Sequence, residues 1–140
     1  MRHGTSIGRV RGLGSSHHGA HHWLVQRFTA VGNLVTVLFL IVSLIMLPDL
    51  SHATVTGWLA SPVPALMMAL MIVSTFWHAR LGLQVLVEDY VHTAGNRFAV
   101  MLALNLATFV GAAAALFFLF MVVTGAGTPA PAPAAPAGGM

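Results

Sequence analysis

Three long apolar stretches, Ala30 to Leu47, Pro64 to Val87 and Phe98 to Val123, dominate this chain. Each approaches or exceeds the roughly 20 helical residues needed to cross a bilayer. The composition agrees: of 140 residues, 57% are hydrophobic and only 6% charged, with a mean hydropathy of +0.85, whereas a soluble domain carries about 25% charged residues. A soluble three-helix protein would also need polar outer faces. Here the last stretch is apolar all round apart from Asn105 and Thr108, as suits a segment solvated by lipid and neighbouring helices. The sequence therefore predicts an all-α membrane protein, a bundle of three transmembrane helices within residues 29–124. A polar segment, 1–28, precedes it and an Ala/Pro-rich tail, 125–140, follows.

Charge placement gives an orientation. Arg2, Arg9, Arg11 and Arg27 precede the first stretch, the loop from Pro48 to Ser61 has neither Arg nor Lys, and Arg97 stands just before the third stretch. The positive-inside rule then predicts a cytoplasmic N-terminus, a cytoplasmic loop after Asp89 and a C-terminus outside. The first 28 residues lack the apolar run of a cleavable signal, so the first span is expected to serve as an uncleaved one. Pro62 and Pro64 suit the first turn of the second helix, where a missing N–H costs little. Asp49 and His52 fall in the outer loop as solvated residues. The Pro/Ala alternation from Thr128 to Pro136 predicts an extended, disordered tail.

Several function classes are excluded. The absence of cysteine rules out disulfides, cysteine-ligated iron–sulfur clusters and covalently attached haem, which leaves histidine as the candidate redox ligand. The positive charge comes from six Arg against Asp49, Glu88 and Asp89. It reflects scarce acids and no nucleic-acid surface, since basic patches with interleaved aromatics are absent.

The second stretch carries the chemistry. His78 lies inside it and Asp89-Tyr90 at its end. Eleven positions at about 100° each return Asp89 to nearly the face of His78, about 16 Å away along the axis. With Asp89 at the membrane surface, His78 lies near the midplane of a core roughly 30 Å thick. Ser74, Gly82 and Val85 share its face and build a wall of small groups. A flat ligand could approach there, with neutral imidazole as an axial ligand to haem iron; alternatively, the small residues permit close helix packing with His78 hydrogen-bonded across the interface. Because no other histidine falls within the second span, a second axial ligand is expected from another chain.

Arg80, Gln84 and Glu88 recur at four-residue spacing and can form a polar ladder on a different face. Arg80 must use that ladder, snorkel, or meet an acidic group such as a haem propionate. Asp89-Tyr90 reads either as an interfacial aromatic with a helix-ending acid, or as a quinone site in which the phenol donates to a quinone carbonyl and the acid relays protons.

Together, His78, Gly82 and the run Asp89-Tyr90-Val91-His92 resemble the family of hydrophobic membrane anchors of succinate dehydrogenase, respiratory complex II. The segment His21-His22-Trp23-Leu24-Val25-Gln26-Arg27-Phe28-Thr29-Ala30 resembles the family's H-x5-R-x-T-A pattern. The resemblance covers most of the chain, and H-x10-D-Y at the end of the second of three spans is fairly specific. It implies that His78 is an axial ligand of haem b, whose other ligand comes from the companion anchor chain of the same complex. Tyr90 and Asp89 would serve ubiquinone, and His21 and Arg27 would lie near the haem propionates, with His22 an equally local candidate beside His21. The chain departs from some relatives at Arg80, where an aromatic can occur, and in its tail.

By the same resemblance, the chain is a non-catalytic subunit in a bacterial inner membrane. It tethers a flavoprotein subunit that oxidises succinate and an iron–sulfur subunit that passes electrons to ubiquinone. It has no succinate site of its own, having neither a dinucleotide-binding glycine fingerprint nor a soluble domain to hold a flavin. The alternatives are the anchor of a fumarate reductase, and a membrane scaffold in which His78 and Asp89 form a proton path without haem.

Overall fold

The computed structural model describes residue 7 and residues 19–126. Most of the N-terminal arginines and the tail from Gly127 onward lie outside the described residues, so the expectations placed on them stay as read from sequence. Within the described part the chain is helical and without strands. The helices are α1 (Gly19–Ile45), α2 (His52–Leu59), α3 (Pro62–Tyr90) and α4 (Ala94–Thr124). Three of them, α1, α3 and α4, are long and apolar enough to cross a membrane. At 27, 29 and 31 residues they are each about 40–47 Å long, so all outrun the hydrocarbon core.

Local chemistry sets the ends. Ser51 caps α2 by accepting the Thr54 N–H. Asp49 Oδ1 accepts the Ser51 N–H at 2.9 Å, and hydrogen bonds from Ser51 and Thr54 hold the Asp49 carboxyl below the usual carboxylate range. Pro62 and Pro64 sit in the first turn of α3 as expected. Gly125 stops α4 in the left-handed region, φ 68°, which a side chain would resist.

Two features differ from the sequence reading. The first helix begins at Gly19, well ahead of Ala30, because a hydropathy window stops at His21, His22, Gln26 and Arg27 whereas backbone hydrogen bonding does not. The loop between the first two spans also folds into α2, which rests against α3 and α4.

The spans are antiparallel neighbours, but they form an open row. The middle helix α3 packs against α1 on one side and α4 on the other, and no Cα of α1 comes within 8 Å of α4. Among the described residues only Thr36, Pro64, Leu81 and Val87 are buried. A three-helix row has no enclosed centre, so its apolar faces must meet lipid or other chains.

Candidate functional site

Close approach makes the α1–α3 seam. A Cβ at Gly32 would meet Ser74 Oγ at 3.1 Å, and Ser74 Oγ donates to the Thr29 carbonyl at 2.9 Å. Ser74 therefore serves the helix crossing. It is Gly82 and Val85 that, with His78, form one wall of a groove of about 550 Å³. The other wall comes from α1: His22, Trp23, Gln26, Arg27 and Ala30. Both meanings of the small residues are thus realised, one turn apart on either side of His78.

His78 is half-buried at the groove. Its Nδ1 lies 3.1 Å from Thr29 Oγ1 and 3.3 Å from the Gln26 carbonyl oxygen. With Nδ1 engaged, Nε2 is the nitrogen left for a ligand, the usual arrangement of a metal-binding histidine steadied through its second nitrogen.

The groove's other polar groups come from the first turns of α1. The Arg27 guanidinium stacks over the Trp23 ring, 4.1 Å from its centroid, an arrangement that keeps the cation at the groove without an acid to hold it. The His22 Nε2 is buried and has no hydrogen-bond partner among the described residues. Such an orphan is costly unless an incoming group satisfies it. His21, expected at this place, is exposed and absent from the lining; its neighbour His22 occupies the position. One helical residue is a rotation of about 100°, which the sequence spacing alone did not resolve.

Arg80 points away from this groove. Its Nε donates to Asn105 Oδ1 of α4 at 2.6 Å, and its guanidinium lies 5.8 Å from the Trp77 ring centroid. The ladder expected from its spacing is only half formed: Gln84 Nε2 donates to Glu88 Oε1 at 2.9 Å, while Arg80 uses α4. Two residues from His78 along a helix is a turn of about 200°, so the imidazole and the guanidinium serve different seams.

Asp89 and Tyr90 end α3 and are both exposed, Tyr90 by 76%. The phenol and carboxylate sit on the same helix as His78, and the groove does not extend to them. Among the described residues no group of three or more His, Cys, Asp or Glu could hold a metal ion. A separate groove of about 750 Å³, between α2 and the end of α4 and including His52 and Thr124, lies at the end of the helices opposite Tyr90.

Sequence reasoning missed Thr29 and Gln26 as partners of the imidazole. They lie 49 and 52 residues from it, and the only available signal was that both fall in the run from His21 to Ala30.

An all-helical row of three helices long and apolar enough to span a membrane, with an imidazole beside a groove edged by arginine and histidine, defines a membrane-embedded helical protein. The chain belongs to the family described as succinate dehydrogenase/fumarate reductase transmembrane subunit, whose model matches residues 1–112. It is similar to the succinate dehydrogenase hydrophobic membrane anchor subunit of Paracoccus denitrificans, 30% identical over 115 residues that cover 81% of this chain and 88% of that protein. The protein of the same name from Rickettsia bellii is 29% identical over 118 residues, covering 81% and 94%, and that of Rickettsia conorii is 28% identical over 118 residues.

Proposed function

We propose that this chain anchors a succinate:ubiquinone oxidoreductase, tethering its flavin and iron–sulfur subunits, and supplies His78 as one axial ligand of a haem b and Tyr90 with Asp89 as part of the ubiquinone site. The observation that carries the reading is the groove at His78: an imidazole whose Nδ1 is engaged, a buried unpartnered His22 Nε2 and the Arg27 cation line one cavity.

These residues fit a haem. His78 would offer Nε2 to the iron, and the groove lined by Gly82, Val85 and Gln26 would take the ring. Arg27 and His22, two donors at one end of the groove, suit the propionate carboxylates. Bound there, the haem would supply one-electron redox chemistry, and a companion anchor chain would supply a further ligand. An open row of helices leaves a face for that chain to cover.

At the end of α3, the Tyr90 hydroxyl would donate a hydrogen bond to a quinone carbonyl, polarising it toward reduction, and Asp89 would carry protons from water to the reduced oxygen. Exposure of both groups leaves the rest of the quinone pocket to partner subunits. Arg27 near the start of α1 and Arg97 in α4 fall on the Tyr90 side, while the Pro48 to Ser61 connection carries no Arg or Lys; this supports a cytoplasmic quinone end. The relatives' names favour succinate oxidation over fumarate reduction.

The test is a reduced-minus-oxidised visible spectrum of the purified complex with succinate as reductant. His78→Ala should abolish the b-type signal, and an unchanged haem content would overturn the axial role. Tyr90→Phe should lower quinone reduction at least tenfold while succinate oxidation by a soluble artificial acceptor persists; equal loss of both would sink the quinone role.

A further inference from the structure

Hydrogen-bond balance around His78 assigns its tautomer. The Thr29 hydroxyl has one proton and three neighbours: the Val25 carbonyl at 3.0 Å, the Gln26 carbonyl at 3.0 Å and His78 Nδ1 at 3.1 Å. Donation back to the carbonyls of its own helix is the ordinary habit of a helical threonine. That leaves the oxygen lone pairs toward the imidazole.

Were Nδ1 unprotonated, its lone pair would face the Gln26 carbonyl oxygen 3.3 Å away, acceptor against acceptor. It would also compete with two carbonyls for the single Thr29 proton. With a proton on Nδ1, every contact is satisfied: Nδ1–H donates to Thr29 Oγ1 and the Gln26 carbonyl, and Thr29 donates along α1. Nε2 then carries the lone pair.

The Thr29 backbone is itself fixed, since its carbonyl accepts from Ser74 Oγ one turn before His78. The two helices are thus pinned one turn before the contact.

We infer that Thr29 is a positioning residue for His78: with the Gln26 carbonyl it holds the Nδ1–H tautomer and the ring orientation, so that Nε2 faces the groove as a ready ligand. The inference rests on the haem reading above and deepens it, because the hydroxyl tunes the basicity of a ligand it does not replace. Thr29→Val keeps shape and removes the acceptor; Thr29→Ser keeps the acceptor and removes a methyl.

The experiment uses the purified complex, with flavin content as the measure of assembly. Three readouts are haem dissociation rate, haem reduction potential and the low-temperature EPR g-values of the oxidised haem. Thr29→Val should speed haem loss by about tenfold to a hundredfold, the usual effect of removing an outer partner of a metal ligand. It should also shift the potential and g-values, and Thr29→Ser should return all three to the parent values. An assembled Thr29→Val complex with all three unchanged overturns the inference. So does loss of assembly in both Thr29→Val and Thr29→Ala with flavin and haem falling in step, which would make Thr29 a packing residue alone. His78→Ala, run in parallel, separates the two levels: haem retained there fails the haem reading itself, whereas haem lost there with Thr29→Val silent fails only the positioning role.

Discussion

The two seams of this molecule are built from opposite materials. Where α1 meets α3, polar groups recur along the contact: Thr75 Oγ1 donates to Asn33 Oδ1 at 3.3 Å, Ser74 to the Thr29 carbonyl, and His78 to Thr29 and Gln26. Where α3 meets α4, the contact is a phenyl ring against a glycine. A Cβ at Gly111 would come 2.6 Å from the Phe76 ring, and one hydrogen bond, Arg80 to Asn105, crosses beside an apolar cleft of about 440 Å³. Lipid gives helices little hydrophobic reason to associate, so both close approach and interhelical hydrogen bonds are needed. The α1–α3 seam uses its hydrogen bonds to orient a ring. The α3–α4 seam uses its one to satisfy a cation.

The sharpest way to break this contrast is at Gly111. Gly111→Val places branched carbons where the Phe76 ring lies and should destabilise the complex by about 1–3 kcal/mol, the range for overpacking a tight contact. Thermal dissociation of the purified complex would measure it. Phe76→Ala should recover most of the loss by opening the space. If the seams are independent, the haem spectrum stays at its parent form in every assembled variant. A shifted spectrum would show that the α3–α4 contact sets the imidazole as well.

Next in size is the Arg80–Asn105 pair. Asn105→Leu leaves the guanidinium without its acceptor inside the membrane and should cost about 1–2 kcal/mol, the upper range for interhelical polar contacts. Adding Arg80→Leu removes the stranded charge and should return stability to near the parent value, since insertion scales place a central arginine at about 2.5–3.5 kcal/mol. A double variant as weak as Asn105→Leu alone would mean that the cation serves something other than Asn105. The haem potential is expected to be insensitive to Arg80→Leu, because the side chain turns to the other seam; a shift would revive the propionate contact raised by the sequence.

How far the sequence carried these conclusions depended on the range of the physics involved. Hydropathy is a local sum, so it found three spans, and Pro62 and Pro64 marked a helix start because the missing donor acts at one position. The apolar stretch from Ala30 leaves out the first turns of α1 because polarity and helicity separate at a membrane surface: His21 through Arg27 are too polar for an apolar window yet carry the helix onward from Gly19. Helix periodicity put Gly82 and Val85 beside His78 correctly. It could not divide Ser74 from them, because whether a small residue faces a groove or a neighbouring helix depends on Gly32, more than forty positions away. The same limit applied to Arg80, whose partner Asn105 was visible only as a polar exception in an apolar stretch. That the three spans lie in an open row is likewise a property of which faces meet, and no single-helix pattern contains it.

The smallest predicted effect tests whether the polar seam owes its closeness to Ser74. Gly32→Ala would set a methyl 3.1 Å from Ser74 Oγ but 3.8 Å from Ser74 Cβ, so the crowding involves the hydroxyl alone. The hydroxyl can rotate away, at the loss of its bond to the Thr29 carbonyl, and a net hydrogen bond of this kind is worth about 0.5–1.5 kcal/mol. Gly32→Ala should therefore lower stability by about that amount, Ser74→Ala by a similar amount, and the double variant by no more than either, because both remove the same bond and the second also removes the crowding. Additive losses would show instead that the helices cross closely on account of Gly32 itself, with the Ser74 bond incidental. In that case Thr29 would be held by backbone packing, and its hydroxyl would meet His78 at the same place with or without the serine.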